Sequence, residues 1–320
     1  MPGPYSSSVD LRIFTEPQQG ASYEDLLAVA RTAESAGFSG FFRSDHYVKM
    51  GDVSGLPGPS HAWITLAGLA RDTRSIRLGT LVSPITFYQP GPLAIMVAQV
   101  DAMSGGRIDF GIGAGWFEAE HSAYGLEFPK LGGRFDRLEE YLAQITGLWA
   151  TPEGATYADQ GRFHTFIDSP ALPKPVQKPC PPIIIGGRGR SRTPALVARY
   201  AAEFNVPFTP LDEIAPTIAR IDDACAAVDR NPAEVVKSAA LVACIGGSDA
   251  EVQRRAEAIG RSADDLKSQG LAGTREEVLD KLGTYAEAGI ERMYFQILDL
   301  QDLDHVTTIG TDLLEAAEAL

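Results

Sequence analysis

The amino-acid sequence predicts an α/β protein of the TIM-barrel class, a closed (β/α)8 barrel, with an open doubly wound sheet as the alternative. Eight strand-like apolar runs alternate with helical patterns along nearly the whole chain. The length of 320 residues is one that α/β barrels use as a single domain. A content of 44% hydrophobic and 22% charged residues is typical of a globular protein. We therefore expect one barrel domain over residues 1–320, with an insertion at about 151–182.

The predicted strands are short runs rich in apolar and β-branched residues. In order, they cover residues 11–14, 38–43, 76–84, 107–116, 182–185, 204–206, 237–245 and 292–298. Helices are predicted from 3.6-residue periodicity and from end signals, such as the capping-box pattern at Ser22 and the stop at Gly37. The last of them is expected to cover residues 303–320. Loops without a predicted helix include the stretch between the fourth strand and residue 133.

The stretch 76–116 holds the most informative strand–helix–strand unit. Its two strands would run parallel, so both C-terminal ends would open on the edge where ligands bind in α/β proteins. Gly111, Gly113 and Gly115 at the end of the second strand allow backbone amides to approach a ligand closely. The alternative is that these glycines only form a tight turn.

The segment 151–182 breaks the alternation. Residues 157–166 could form a hairpin, and the proline-rich stretch that follows predicts an extended, stiff connector. We interpret this segment as an insertion into the barrel, not as a domain boundary.

Composition excludes several classes of function. The formal net charge is −14, and the basic run between Arg188 and Arg192 is the longest, so nucleic acid is not an expected partner. Three scattered cysteines predict reduced thiols in a cytoplasmic protein, and no apolar run is long enough for a membrane span. The first predicted strand lacks the His-x-His pair of barrel metal hydrolases, so no metal site is expected. Among the remaining histidines, we expect His164 and His305 at the surface.

Six short motifs occur in a specific joint order. They are Ser44-Asp45-His46-Tyr47, Leu78-Gly79-Thr80, Ser104-Gly105-Gly106-Arg107, the run FGIGAGWFEAEH at 110–121, LPKPVQ at 172–177 and PIIIGG at 182–187. Over roughly residues 11–298, the chain thereby resembles the luciferase-like monooxygenases, and in particular their branch of deazaflavin (coenzyme F420)-dependent oxidoreductases. The resemblance implies a barrel with an insertion, a redox cofactor across the C-terminal mouth and a homodimer.

The resemblance also implies roles for residues after the second and third strands. A non-proline cis peptide at Leu81-Val82, followed by Ser83, would form a bulge against which the tricyclic ring of the cofactor leans. His46 would lie at the reactive edge of that ring, and histidine suits proton transfer at neutral pH. Asp45 is expected beside the cofactor, where it orients the turn.

Further cofactor contacts are expected at two other strand ends. Ala114 and Gly115 would offer backbone to the ring. Gly186, Gly187 and Arg188, leading into a helix at Thr193 with Arg192 beside it, would bind the phosphate, because free amides at a helix start and arginine side chains both favour anions. A solvated basic turn is the alternative interpretation of this loop.

One position departs from the sugar-phosphate dehydrogenases that the chain resembles. Where those enzymes place an acidic glutamate after the glycine-rich strand, this chain has Trp116. Glucose-6-phosphate oxidation is therefore not expected, and Trp116 is predicted to form an apolar or aromatic wall of the substrate pocket, with rim packing as the alternative. His121 is expected to face the same pocket.

The sequence thus predicts an oxidoreductase that transfers a hydride between coenzyme F420 and a small organic substrate. The first alternative is an FMN-dependent two-component monooxygenase, which would require a separate reductase. A flavin-binding protein without catalytic activity is an alternative of another class. Substrate and direction of reaction are not specified by the sequence.

Overall fold

Eight parallel strands close into a barrel, as the sequence predicts. The computed structural model describes residues 8–320, so the first seven residues of the predicted 1–320 domain lie outside it. The strands are β1 (Asp10–Thr15), β2 (Gly40–Arg43), β3 (Arg77–Thr80), β4 (Ser83–Pro84), β5 (Ile108–Gly113), β6 (Tyr157–Gln160), β7 (Thr165–Ser169), β8 (Ile183–Gly186), β9 (Glu203–Pro207), β10 (Val236–Ile245), β11 (Leu271–Gly273) and β12 (Arg292–Ile297). The barrel order is β1-β2-β3-β5-β8-β9-β10-β12, and β12 pairs with β1 in parallel to close it.

The helices alternate with these strands. They are α1 (Tyr23–Ala36), α2 (Ala62–Asp72), α3 (Pro90–Ser104), α4 (Glu118–Tyr124), α5 (Leu131–Ala150), α6 (Arg192–Tyr200), α7 (Leu211–Ala226), α8 (Asp249–Ala258), α9 (Ala263–Gln269), α10 (Arg275–Glu287) and α11 (Leu303–Ala317). The predicted end signals are confirmed in α1, where Ser22 and Asp25 form the capping box and Gly37 adopts the left-handed conformation with a φ of 95°. No helix within residues 8–320 combines the length and the apolar character needed to cross a bilayer.

The hydrophobic core has two main parts. A large cluster fills the layer between the strands and the surrounding helices. A smaller cluster lies within the barrel, and it consists of Phe14, Phe42, Ile184, Ala240 and Tyr294, with Leu81 and Val82 packed on it. Side chains therefore fill the barrel up to the level at which the strands end, as is usual for this architecture.

The insertion is present where the sequence predicts it. β6 and β7 form an antiparallel hairpin. The Glu140 carboxylate on α5 accepts hydrogen bonds from the backbone amides of Arg162, Phe163 and His164, at 2.7 to 3.1 Å. The turn of the hairpin is thereby fixed to the first half of α5.

Several predicted features need correction. The third strand is divided, because β3 ends at Thr80 and β4 resumes at Ser83 after an irregular Leu81-Val82 step. The loop predicted after β5 contains the short helix α4, and the final helix ends at Ala317.

His305 is not at the surface, as predicted, but is 5% exposed. Its Nε2 accepts a hydrogen bond from the Ile245 backbone amide at 3.0 Å. Burial, together with the nearby Arg255, lowers the pKa of His305 to about 4.

Candidate active site

His46 lies at the C-terminal mouth of the barrel, just after β2, and a buried carboxylate fixes its ring. Its Nδ1 is 3.0 Å from both carboxylate oxygens of Glu120, which is 1% exposed and lies on α4. A carboxylate only accepts hydrogen bonds, so Nδ1 carries the hydrogen and Nε2 is left to exchange a proton. The Tyr47 amide donates to the same carboxylate at 3.0 Å, which holds Glu120 in place. The pair thus points a single ring nitrogen away from Glu120.

Sequence reasoning missed Glu120. The residue stands inside the recognised run 110–121, but it follows a segment that reads as a loop. Helix α4 has only seven residues, and no side chain caps its N-terminus, so the usual start signal is absent.

A second carboxylate, Glu16, lies immediately after β1 and close enough to His46 for the two groups to interact electrostatically. Burial raises the pKa of the Glu16 carboxyl, while the nearby His46 and the polar side chains of Gln18 and Gln19 act in the opposite direction. Glu16 also borders a cleft of about 180 Å³, which is lined further by Gln19, Asp25, Val53, Asp299 and Gln301. The cleft lies beside the C-terminal ends of β1 and β12, and His46 is not among the residues that line it.

Asp45 ties the end of β2 to the next strand end, as expected of a residue that orients the turn. Its Oδ2 accepts hydrogen bonds from the Ser83 hydroxyl at 2.6 Å and from the Tyr88 hydroxyl at 2.7 Å. Asp45 and Ser83 are both buried, so neither predicted contact residue presents its side chain to solvent. Asp45 Oδ1 is buried without a hydrogen-bond partner among the described residues.

The Leu81-Val82 peptide bond is cis, in agreement with the resemblance. Both side chains are half-buried and pack on the apolar cluster inside the barrel. Glycines surround Val82, and a Cβ atom on Gly113 would lie only 3.0 Å from its Cγ2, whereas one on Gly186 would lie 3.8 Å away. The mouth therefore has an apolar floor with no side chain standing over it from Gly113 or Gly186, and a flat aromatic ring fits such a floor.

Ala114 and Gly115 continue the wall beside this floor. Gly115 has a φ of 77°, and a Cβ atom there would lie 3.1 Å from Thr86 Oγ1 and 3.3 Å from Pro84 Cβ. A side chain at this position would be strained by both its backbone conformation and its neighbours. The turn itself therefore requires glycine here. This supports the interpretation of Gly115 as a turn residue, in addition to the predicted contact with the cofactor.

The predicted phosphate loop joins β8 to α6. Gly186 ends the strand, Gly187 has a φ of 149°, and Thr193 is buried in the first turn of the helix. Arg188 donates to the Pro207 carbonyl at 2.8 Å and also to the Phe208 carbonyl, while Arg192 donates to Asp136 Oδ1 at 2.7 Å. The loop has the glycines and the helix start that an anion needs, and its two arginines are also bonded to the protein.

The two predicted pocket residues differ in position. Trp116 is 65% exposed, and its ring meets His46 edge to face at 5.6 Å between centroids and stacks on Phe117 at 5.2 Å. His121, in contrast, is completely buried: its Nδ1 donates to the Phe117 carbonyl at 2.8 Å, and its Nε2 accepts from the Thr86 hydroxyl at 2.6 Å. His121 therefore supports the wall from behind, and the expectation that it faces the pocket is corrected.

Aromatic side chains continue the rim beyond Trp116. Tyr47 stacks on Phe87 at 4.4 Å between ring centroids, and Tyr124 contacts Tyr47 at 5.5 Å. Beneath them, the buried Arg43 donates to the Ser60 hydroxyl at 2.9 Å and to Thr65 Oγ1 at 2.6 Å. Burial lowers the pKa of Arg43 to about 10.

A parallel barrel with a histidine–glutamate pair, an apolar floor and a glycine-rich loop before a helix at its C-terminal mouth has the form of a barrel enzyme that binds a flat cofactor. The sequence profile described as luciferase-like monooxygenase matches residues 6–270, and the chain belongs to this family.

Relatives within the family use two kinds of cofactor. The chain is 30% identical over 231 residues to the F420-dependent hydroxymycolic acid dehydrogenase of Mycobacterium tuberculosis, a match covering 70% of this chain and 60% of that protein. It is 28% identical over 220 residues to the oxygenase component of the flavin-dependent trigonelline monooxygenase of Acinetobacter baylyi, with coverage of 67% and 57%. These matches therefore span somewhat less than two thirds of each relative.

Among solved structures, an F420-dependent secondary alcohol dehydrogenase in complex with an F420-acetone adduct superposes with a TM-score of 0.82. The superposition covers 96% of this chain and 98% of the other, at 17% sequence identity. This similarity concerns the fold, which it confirms as the luciferase-like barrel.

Proposed function

We propose that the protein is an F420-dependent oxidoreductase that transfers a hydride between the coenzyme and a small organic substrate. The observation that carries this proposal is the His46–Glu120 pair at the barrel mouth, with Nδ1 held at 3.0 Å from a buried carboxylate. The pair leaves Nε2 as a proton donor or acceptor beside an apolar floor suited to a flat ring. Relatives named as F420-dependent dehydrogenases support the choice of coenzyme.

When bound, coenzyme F420 supplies a ring carbon that gives or accepts the hydride. The residues of the chain would divide the remaining work. Leu81 and Val82 support the face of the ring, and the loop from Gly186 to Arg188 with the start of α6 holds the phosphate. His46 Nε2 gives a proton to the substrate oxygen or nitrogen, or takes one from it, and Glu120 stabilises the charged ring of the histidine.

The substrate in this proposal is neutral and partly apolar. Trp116 and Phe117 form an aromatic surface next to His46, which favours binding of apolar groups. Glu16 and Glu120 bring negative charge close to His46, so an anionic substrate would be repelled. Small ketones, enones, imines and alcohols fit these conditions.

One relative favours a second function. The trigonelline monooxygenase of Acinetobacter baylyi is described as a flavin-dependent oxygenase component, and its similarity covers 67% of this chain. The same floor and phosphate loop would hold FMN, and the protein would then act as a two-component monooxygenase with a separate reductase.

A titration distinguishes the two functions. Purified protein is titrated with oxidised F420 and, in parallel, with FMN, and tryptophan and cofactor fluorescence are followed. Micromolar binding of F420, with FMN at least tenfold weaker, is expected for the proposed oxidoreductase. Tighter binding of FMN would contradict the proposal and favour the monooxygenase. The His46→Ala variant serves as the control, because it removes the proton-transfer group without removing the floor or the phosphate loop.

We also propose a homodimer, as the resemblance implies. Size-exclusion chromatography with light scattering is expected to give twice the monomer mass, and a mass equal to that of one chain would contradict it.

A further inference from the structure

A series of arginines extends from the phosphate loop across the outside of α5 to the turn of the insertion hairpin. We call Arg137, Arg162, Arg192 and Arg199 the arginine ladder. It is unusual in this chain, whose formal net charge is −14. The ladder and its immediate surroundings on α5, the hairpin turn and the phosphate loop carry eight basic residues against four acidic ones, counting 127–140, Arg162 and 188–199.

Two carboxylates and one aromatic ring connect the members of the ladder. Arg137 and Arg162 both stand over the Phe163 ring, at 5.3 and 5.1 Å from its centroid. Asp136 pairs with Arg162 at 3.0 Å and with Arg192 at 2.7 Å. These contacts hold neighbouring guanidinium groups at a fixed spacing, although they repel one another.

The outer end of the ladder follows the same pattern. Glu139 lies 3.4 Å from Arg192 and 3.5 Å from Arg199. Three guanidinium groups, those of Arg162, Arg192 and Arg199, thus share the two bridging carboxylates of Asp136 and Glu139. Each guanidinium has five N–H donors, so these contacts leave donors unused along the row. Glu127 pairs with Arg137, and the Glu140 carboxylate is occupied by the hairpin amides.

Two nearby cations strengthen the positive field. Arg190, inside the phosphate loop, is exposed and makes no hydrogen bond or ion pair within residues 8–320. Arg134 on α5 is 7% exposed and stacks on Phe128 at 3.9 Å, and its Nε is buried with no hydrogen-bond partner among the described residues. A buried donor without a partner is costly unless a ligand or water completes it.

The ladder is continuous with the predicted phosphate site, because Arg192 belongs to both. An anion extending outward from that site would therefore meet the ladder next. FMN ends at its phosphate, whereas coenzyme F420 continues beyond it as a chain of linked glutamates. Arginine binds carboxylates in a planar, two-pronged geometry that lysine does not offer.

We propose that the arginine ladder binds the carboxylates of the oligoglutamate tail of F420. The inference rests on the proposed function, since it assumes that F420 is the cofactor. It assigns a part of the surface outside the barrel mouth to recognition of the coenzyme. It also gives a physical reason for discrimination against FMN, which lacks any group to place there.

The experiment compares two forms of oxidised F420, one without glutamates and one with several, in fluorescence titrations of the wild-type protein. We expect the form with the tail to bind about tenfold tighter at low salt, since exposed charge pairs contribute a few-fold each. The advantage should shrink as salt is raised, because exposed pairs are screened. Equal affinities would overturn the inference, while the binding of the tail-less form would still support the proposed function.

The double variant Arg162→Gln, Arg199→Gln removes the two most exposed members of the ladder. It should lose most of the advantage of the tail and bind the tail-less form within about twofold of wild type, as expected for sites that do not touch the ring. The double variant Arg254→Gln, Arg275→Gln is the matched control, because it removes the same two charges from exposed, ion-paired arginines on α8 and α10. An equal loss in the control, or none in the ladder variant, would overturn the inference. Failure of both F420 forms to bind wild type would overturn the proposed function together with it.

Discussion

Buried charged side chains form ion pairs at the N-terminal end of the barrel, whereas at the C-terminal mouth they are only partly paired. At the N-terminal end, Arg12 pairs with Asp109 at 2.7 Å and with Asp10 at 3.0 Å, and Arg292 pairs with Asp10 at 2.6 Å and with Glu203. Arg77 joins Asp109 from β3, and the Tyr294 hydroxyl donates to Glu203 at 2.8 Å. Three arginines thus face three carboxylates in one connected network.

The pairing of charged groups is less complete at the C-terminal mouth. The carboxylates of Glu16 and Glu120 lie near His46, and Asp45 Oδ1 has no hydrogen-bond partner among the described residues. The buried Arg43 donates hydrogen bonds to hydroxyl and carbonyl oxygens and makes no ion pair with a carboxylate within residues 8–320.

The difference indicates that charged groups at the N-terminal end stabilise the fold, whereas those at the C-terminal mouth serve the candidate site. A fully paired network fixes the strand register at one end, whereas unmatched groups at the other end remain available for a ligand. Substitutions at the two ends should therefore change different measurements.

The largest effect is expected at the mouth. His46→Ala should lower turnover of F420 with an accepted substrate by about 10²–10⁴, the usual contribution of a general acid or base. Affinity for F420 should stay within a few-fold, since the floor and phosphate loop are unchanged. Steady-state kinetics and fluorescence titration measure the two, and unchanged turnover would remove His46 from the mechanism.

The second largest effect is expected for the stability of the protein, from a substitution in the ion-pair network at the N-terminal end of the barrel. Asp109→Ala leaves Arg12, which is 4% exposed, without its closest carboxylate, and should lower the free energy of unfolding by about 3–5 kcal/mol. Urea denaturation measures the change. The exposed Glu315→Ala is the control and should stay within about 0.5 kcal/mol. The comparison would fail if Asp109→Ala left stability intact and weakened F420 binding instead.

The third prediction concerns His305, a buried histidine that belongs neither to the N-terminal network nor to the C-terminal mouth. The pKa of His305 is lowered from 6.5 to about 4, so the unfolded chain binds a proton that the folded protein does not between these values. Stability should therefore fall as pH is lowered from 6.5 to 4, by about 3 kcal/mol for a shift of this size. His305→Gln should flatten this dependence in urea titrations at several pH values, and an unchanged slope would contradict the assignment.

A smaller effect is expected for Glu120, which positions His46. Glu120→Gln should lower turnover by about tenfold, at the low end of general acid–base contributions. Glu120→Ala should lower turnover further, because Nδ1 of His46 then has no acceptor that fixes the ring. Steady-state kinetics measure both variants, and turnover equal to that of wild type in both would remove Glu120 from the positioning of His46.

The smallest effect concerns Glu16. Its pKa is raised above the ordinary value of 4.5, so the folded protein binds this proton more tightly than the unfolded chain does. Stability of the wild type should therefore decrease as pH rises from 4.5 through the raised pKa. Glu16→Gln should be more stable than wild type at pH 7 and lose this advantage below pH 4.5, and a destabilised variant at pH 7 would contradict the assignment.

Much of the barrel could be predicted because its signals are local. Alternating strands and helices, the capping box at Ser22 and the stop at Gly37 each depend on a few neighbouring residues. The buried position of His305 also had such a signal, since Ile309 and Leu313 follow at intervals of four residues on the same helix face. That periodicity predicts burial and outweighs the general polarity of histidine.

The site was less predictable because its contacts are not local. His46 and Glu120 are 74 residues apart in sequence. Resemblance supplied the importance of His46 and the cis bond at Leu81-Val82, but not the partner of the histidine. Likewise, no pattern around Arg188 or Arg192 shows that both side chains are bonded to the protein.

Helix α4 can open locally without unfolding of the rest of the barrel, and the site depends on it. A helix of seven residues does not persist alone, so α4 depends on the buried anchors Glu120 and His121. If it opens, His46 loses its partner while the eight strands remain paired. The fraction of molecules in which His46 has its carboxylate partner is then set by the local opening of α4 and not by global unfolding. Hydrogen exchange of the α4 amides would follow the reactive state of the enzyme directly.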